Sequence, residues 1–425
     1  MAHRSPHYCA TPTTMRRIWL LPMMALGVAL PSWAAEPTPE VDLVRRVLEA
    51  PVAGAELDAI EAQTRADLTA VSLLDSPTLD ARREATGDSS AATTAIGASV
   101  TVDLGLSPLA HNRAGRLRGN AGAHRREAAA LASVCSVRAD AVDLWAANLS
   151  ASVSQAAQER LDVLLDTLVA LAEAGESSGY DRDRTALAVT THRTEVGDRA
   201  GAAEAIRARL SALAGGEPVV DVALDGVPET PALDQSIEQL PSHPALQSLA
   251  LEADAARADR DAARLDQIPD LTLSGGSRWD EAPTGGPASQ GFEVGGSVQI
   301  PWMNGSRGEA RQQTADHAVA DARLARAKAE LEAAVRGAHR RVEALVVAPT
   351  LAFDPEAVWT AAMDRYAAGE TSLDDLLQVA DAVEAARLAE VERERLERRA
   401  RLDLSCATGQ FPDPAMQSVL EEAVR

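Results

Sequence analysis

The side chains able to ligate a metal or move a proton are dispersed along this chain rather than gathered into a motif. Beyond residue 34 there are six histidines, His111, His124, His192, His243, His317 and His339, mostly amid Arg and Asp on helix-like surface sequence. No His-Glu-x-x-His pair, phosphate loop or paired-Cys metal motif is present, and no Ser, His and acid set suggests a nucleophile. The reading is a chain that is not an enzyme and carries no cofactor or metal. Two acids stand out by position, because Asp181 and Asp375 occupy the same place in two copies of one pattern. Near the start of a helix, such acids can accept hydrogen bonds from free backbone amides and oppose the helix dipole.

The elements that hold these residues follow from composition and periodicity. Of 425 residues, 46% are hydrophobic, mostly Ala, Leu and Val, and only 3% aromatic, which favours narrow seams between long helices over a thick globular core. Residues 1–34 hold Arg4, Arg16 and Arg17, no acid, a 13-residue apolar run over 18–30, and Ser32-Trp33-Ala34 before Ala35. This reads as a secretory signal peptide cleaved after Ala34. Its loss takes the formal charge from −22 to −25, which excludes nucleic acid as a partner. Cys135 and Cys406, left once Cys9 is removed, are too few for a disulfide framework. No later apolar run is long enough for a helical membrane span, so any membrane insertion must use β-strands.

The chain is built twice. Ala174-Gly175-Glu176-Ser177-Ser178 recurs as Ala368-Gly369-Glu370-Thr371-Ser372, at an offset of 194 residues that also carries Arg113 to Arg307, Leu210 to Leu404 and Gly215 to Gly409. Residues 35–215 form the first repeat, 216–233 a linker, 234–409 the second repeat and 410–425 a C-terminal tail. Each copy opens with a helix (41–74 and 234–268) and then changes to a period of two. Ile96, Ala98, Val100, Val102, Leu104 and Leu106 alternate with Gly97, Ser99, Thr101, Asp103 and Gly105; Phe292, Val294, Val298, Ile300 and Trp302 alternate with Glu293, Gly295, Ser297 and Gln299. With partner runs around Leu79, Ala81 and Ala85, and around Leu271, Leu273 and Trp279, these predict two β-hairpins, at about 77–107 and 269–302.

Strands of about 9 to 11 residues with one apolar and one polar face suit a tilted bilayer crossing around a wet lumen. Four strands cannot close a barrel, so a membrane role requires several chains. Arg83 falls on the apolar face. Long helical hairpins follow at 113–215 and 307–409. Residues 113–174 alone would reach roughly 93 Å; Gly175 ends that helix, and Pro349 and Pro355 break its counterpart. Leu161, Leu164, Leu165, Leu168 and Leu171 form one apolar stripe, and Leu373, Leu376, Leu377, Ala380 and Val383 another.

In order and in detail this resembles the TolC-like outer-membrane efflux family over the whole chain after the signal. The helix-tip sequence Tyr366-Ala367-Ala368-Gly369-Glu370-Thr371-Ser372-Leu373-Asp374-Asp375-Leu376-Leu377 and the strand entry Ile268-Pro269-Asp270-Leu271-Thr272-Leu273 carry the resemblance; the Gly-Glu turns resemble the metal-efflux branch that includes CzcC. The resemblance implies a mainly α protein with a small β part. Three chains would close a 12-stranded outer-membrane β-barrel above a periplasmic α-helical tunnel. It implies that Asp181 and Asp375 form an acidic ring at the pore entrance, a role compatible with helix capping. Gly175, Glu176, Gly369 and Glu370 would be the tip turns where a periplasmic adaptor docks, linking the channel to an inner-membrane pump. Trp279, Phe292 and Trp302 would be the barrel's aromatic girdle, in contact with outer-membrane lipid. The acid that the family often carries one turn later is Gln378 here. The rival reading is a secreted periplasmic coiled-coil protein of the same ancestry without a working channel.

Overall fold

The computed structural model describes residues 37–69, 77–85, 92–224, 226, 230–280, 289–299, 306–347 and 353–424. The expected signal peptide, Ile300 and Trp302 lie outside them. The molecule is mostly helical with a small sheet part.

Each copy opens with a helix that proline interrupts. In place of one helix over 41–74 there are α1 (Glu40–Glu49) and α2 (Pro51–Thr69). In place of one over 234–268 there are α5 (Leu233–Gln239), a 3-10 turn (Leu240–Ser242) and α6 (Pro244–Leu265). The cause is shared: Ala50 and His243 each precede a proline and are extended, with ψ of 144° and 126°, because the proline ring clashes with a helical neighbour before it.

The strands of the first hairpin are β2 (Thr78–Ala85) and β3 (Ala92–Asp103), and those of the second are β5 (Asp270–Asp280) and β6 (Ser289–Gln299). They form one antiparallel sheet in the order β2-β3-β5-β6. A separate two-residue parallel pair joins β1 (Thr38–Pro39) to β4 (Val222–Ala223), inside the stretch expected to be plain linker.

Alternation through Leu104 and Leu106 predicts a longer β3, but the strand stops at Asp103. The Asp103 carboxylate accepts from the Gly105 amide at 2.7 Å and the Ser107 amide at 2.9 Å, turning the chain into the next helix. Leu106 is left there with φ of +55°. A Cβ on Gly105 would sit 2.4 Å from the Leu265 carbonyl oxygen, so only glycine fits this corner.

The helix that follows, α3, runs Ser107–Glu173, six residues earlier than the period suggests; its 67 residues extend about 100 Å. The chain returns as α4 (Gly179–Leu213). In the second copy the outward path is carried by α7 (Ser306–Val347) and α8 (Pro355–Ala367), which Pro355 opens; Pro349 lies outside the described residues, and the return is α9 (Leu373–Thr408). The 194-residue offset carries the end of α3 onto the end of α8, and α4 onto α9 to within a residue.

The principal core lies where α1, α3, α4 and the end of α9 meet, around Leu43, Val44, Leu131, Val134, Leu144, Leu210 and Leu402. Residues 410–425 are not a plain tail. Helix α10 (Pro414–Val424) inserts Met416, Val419 and Leu420 into this core beside Phe411. The i, i+3, i+4 spacing of those three side chains puts them on one face. Cys135 of α3 and Cys406 of α9 form a disulfide here, with Cα atoms 6.0 Å apart. The Arg138 guanidinium stacks 5.2 Å from the Phe411 ring and donates to buried Glu40 at 2.5 Å.

Candidate functional site

Two parts of this fold could conduct or select: the helix tips, and the two faces of the sheet.

Both tips are built alike. At the end of α3, Gly175 has φ of +78°; its amide bonds the Ala172 carbonyl at 3.1 Å, and the Glu176 amide bonds that of Leu171 at 2.8 Å. At the end of α8, Gly369 has φ of +74°, and Gly369 and Glu370 bond the Tyr366 and Arg365 carbonyls, both at 2.9 Å. This pairing closes a helix end with one left-handed residue, which glycine adopts without strain. A Cβ would meet nothing within 4 Å at either position, so backbone handedness rather than space demands glycine. Glu176 and Glu370 are exposed, and Arg365 lies 3.6 Å from Glu370.

The returning helices begin with matched caps. Ser178 Oγ accepts from the Asp181 amide at 3.1 Å, and Ser372 Oγ from the Asp375 amide at 3.2 Å. Asp375 answers by accepting from the Ser372 amide and hydroxyl, completing a capping box. The Ser372 hydroxyl, then its amide, lower the Asp375 pKa below the usual carboxylate range. Its charge therefore persists below that range, and the cap weakens only as the pH falls through the lowered value. Asp181 faces the other tip: burial first, and then the Asp181 charge, raise the Tyr366 pKa. Arg184 of α4 and Asp374 of α9 also pair across the tips.

The apolar stripes hold the tips together. Leu164 and Leu168 of α3 pack with Leu373 and Leu376 of α9, against Trp359, Met363 and Tyr366 of α8; Leu161, Val189 and Ala380 continue the seam. Leu168 is fully buried. We expect Leu168→Ala to destabilise the protein by about 3 kcal/mol, read as a lower denaturant midpoint; an unmoved midpoint would show the seam to be unimportant.

The register gives the sheet two unlike faces. One carries Leu79, Ala81, Ile96, Ala98, Val100, Val102, Leu271, Leu273, Phe292, Val294 and Val298. Much of it is bare: Leu79 is 83% exposed, Phe292 88% and Val294 81%. Trp279 lies one rung nearer the hairpin loops than Phe292, level with Thr94 and Arg83. Arg83 is thus two residues from the end of β2 and level with a tryptophan, where an arginine on a lipid-facing surface costs little.

The opposite face is polar in ordered rows. Nearest the loops Glu84, Thr93 and Asp280 align; next come Arg82 and Arg278; then Asp80 and Glu293 flank Gly97 and Gly276. Thr93 donates to Asp280 at 2.7 Å, and Thr101 and Thr272 bond across the seam at 3.0 Å. A small cleft of 190 Å³ lies over the glycines. Reading the sequence strand by strand missed these charged rows, which exist only once the register is known. It also missed the disulfide.

With this geometry, the fold can be compared with solved structures. The fold is that of outer-membrane channels: the Campylobacter jejuni CmeC outer membrane channel superposes with a TM-score of 0.69 at 15% identity, over 90% of this chain and 89% of that one. The outer membrane protein VceC of Vibrio cholerae matches at 0.67 and 16% identity, over 88% and 97%. The open state of the Neisseria gonorrhoeae MtrE channel matches at 0.63 and 19%, over 87% and 89%. More particularly, residues 238–410, which make up nearly all of the second repeat, match the model of the family described as outer membrane efflux protein. No curated protein matches the sequence.

Proposed function

We propose that this chain is the outer-membrane duct of a tripartite efflux system, passive in itself. One observation carries the reading: a four-stranded sheet with a bare apolar face, a charged and hydroxylic face and, among the described residues, two unpaired edges, set at one end of a helix about 100 Å long. An apolar surface of this extent is not left in water by a monomeric soluble protein. Backbone groups at an open edge cannot stay unpaired in lipid. Three chains closing 12 strands satisfy both demands, with the apolar face toward outer-membrane lipid and Trp279, Phe292 and Trp302 at its borders. The polar rows then line a wet lumen. The Cys135–Cys406 disulfide supports an oxidising compartment such as the periplasm, where the helices would form the tunnel.

The tips at Gly175, Glu176, Gly369 and Glu370 are the docking points for a periplasmic adaptor that connects to an inner-membrane pump. The two Gly-Glu turns favour the metal-efflux branch. Opening moves the tips between two packed arrangements, and the energy comes from the pump. Asp181 and Asp375 form the entrance ring, repelling anions and drawing in cations. Asp375 does this while capping α9. Neutralising both, Asp181→Ala with Asp375→Ala, lowers cation selectivity in planar-bilayer recordings; unchanged selectivity refutes the ring. The reading as a whole is tested by extracting the protein from outer membrane and measuring mass and conductance. A trimer with a discrete conductance supports it. A soluble monomer without conductance favours the coiled-coil alternative.

A further inference from the structure

Running back from the tips, α4 and α9 face each other across a cleft of about 500 Å³, lined by four carboxylates, Glu195, Asp374, Asp381 and Glu384, but only two guanidiniums, Arg184 and Arg199. Its floor is a histidine, and every polar neighbour of that histidine has a defined job. His192 Nε2 lies 3.3 Å from Asp381 Oδ1; a ring that donates there from Nε2 can offer the Nδ1 lone pair to a metal. His192 Nδ1 is buried and has no hydrogen-bond partner among the described residues, yet Glu384 Oε2 is only 3.1 Å from it. The other oxygen of Glu384 is fully used: it accepts from Arg199 at 2.6 Å and from Ser154 Oγ at 2.7 Å. Glu384 is 4% exposed. Nδ1 and a carboxylate oxygen at this distance can face each other only with a proton or a metal cation between them.

We propose that His192, Glu195 and Glu384 form a site for a divalent transition-metal ion of the zinc class, bridging α4 and α9. One donor atom from each of the three lies within 4.8 Å of the other two. Donors at about 2.0–2.1 Å from a tetrahedral ion stand about 3.3 Å apart, close to the 3.1 Å between His192 Nδ1 and Glu384 Oε2. Imidazole with carboxylates suits zinc or cobalt better than calcium or magnesium. Three protein ligands leave the fourth position open to the cleft. Asp381 orients the imidazole from behind, and Arg199 with Ser154 fixes the Glu384 carboxylate, as outer partners do in metal sites. The sequence holds a trace of this arrangement: His192-x-x-Glu195 on α4 and Asp381-x-x-Glu384 on α9 are both i, i+3 pairs that place two ligand types on one helix face. The offset of 194 residues carries His192 to Ala386 and Glu384 back to Thr190, so the site belongs to the contact between the copies and is not repeated within either. A bound ion would brace the two returning helices to each other about 11 residues beyond Asp181, roughly 16 Å along α4, restraining tip movement.

The test is titration of the purified, detergent-solubilised full-length protein with zinc in a calorimeter, and with cobalt in an absorption spectrometer. The expected result is one equivalent of zinc per chain and a cobalt ligand-field spectrum of low coordination number. Glu195→Gln, an exposed position whose substitution leaves the fold intact by circular dichroism, abolishes the spectrum. Asp381→Asn weakens affinity 10- to 100-fold. Wild-type protein that binds no zinc, or variants that bind it as well as wild type, would overturn the site and show His192 to be a buried ion-pair partner of Glu384. These readouts need no conductance, so they fail or succeed independently of the duct reading.

Discussion

On the duct reading, Gly276→Val is expected to leave the protein without a working barrel and to move the chain from the outer-membrane fraction to the soluble wash. Gly276 of β5 is paired with Gly97 of β3 at the seam between the two copies. A Cβ built on it stands 2.7 Å from the Ile96 carbonyl oxygen and 2.8 Å from the Gly97 Cα. Both obstacles are backbone atoms of the neighbouring strand and can yield only by opening the ladder. Once that seam opens, the sheet is two separate hairpins, each marginal by itself. The control is the next residue. Gly275 has its Cβ direction on the apolar face with nothing within 4 Å, so Gly275→Val is tolerated. Equal loss of membrane protein in both variants, measured by fractionation and immunoblot, would mean that added bulk in β5, rather than the seam, is at fault.

Replacing both cysteines, Cys135→Ser with Cys406→Ser, lowers stability by about 2–5 kcal/mol. The two residues are 271 positions apart, a long loop to close in the unfolded chain; chain-entropy reasoning puts this loop at the top of that range. Both pack against the principal core, so the bridge ties the middle of α3 to the end of α9 where α1 and α10 also converge. A denaturant midpoint that falls equally on reduction and on substitution is the expected result. A midpoint that moves in neither case would mean that core packing alone holds the junction.

Much of this architecture is legible in the sequence because it follows local rules. Gly175, Gly369 and Gly409 end helices through left-handed φ values, and Pro355 opens α8 behind an extended Asp354. The alternation in β3 and β6 assigns faces without knowledge of their neighbours, and the structure gives both strands the apolar and polar faces it implies. What remained hidden depends on register or on long-range packing. Arg82 and Arg278 share a row only because Ala95 pairs with both. Two cysteines in a sequence carry no information on their distance, which the α3–α9 contact decides. Residues 410–425 read as a tail because Met416, Val419 and Leu420 cover little more than one helical turn, too little to distinguish a docked helix from a loose end. The interruption at Ala50 was visible as Pro51, but a helical period on both sides of a proline does not say whether the helix bends or stops.

The strand order has a consequence for how an assembly is built. Within the chain, β3 meets β5, so the second strand of one copy meets the first strand of the next. The free edges are β2 and β6, the first strand of the first copy and the second strand of the last. Those are the two partners of the same kind of junction, so chains set head to tail repeat between molecules the contact that each already makes internally. In such a ring half of the junctions form under a tether, at an effective concentration on the order of millimolar, and only one per chain waits on diffusion. A ring of single-copy chains would have to win every junction from dilute encounters, with twice as many exposed strand edges in solution while it did so.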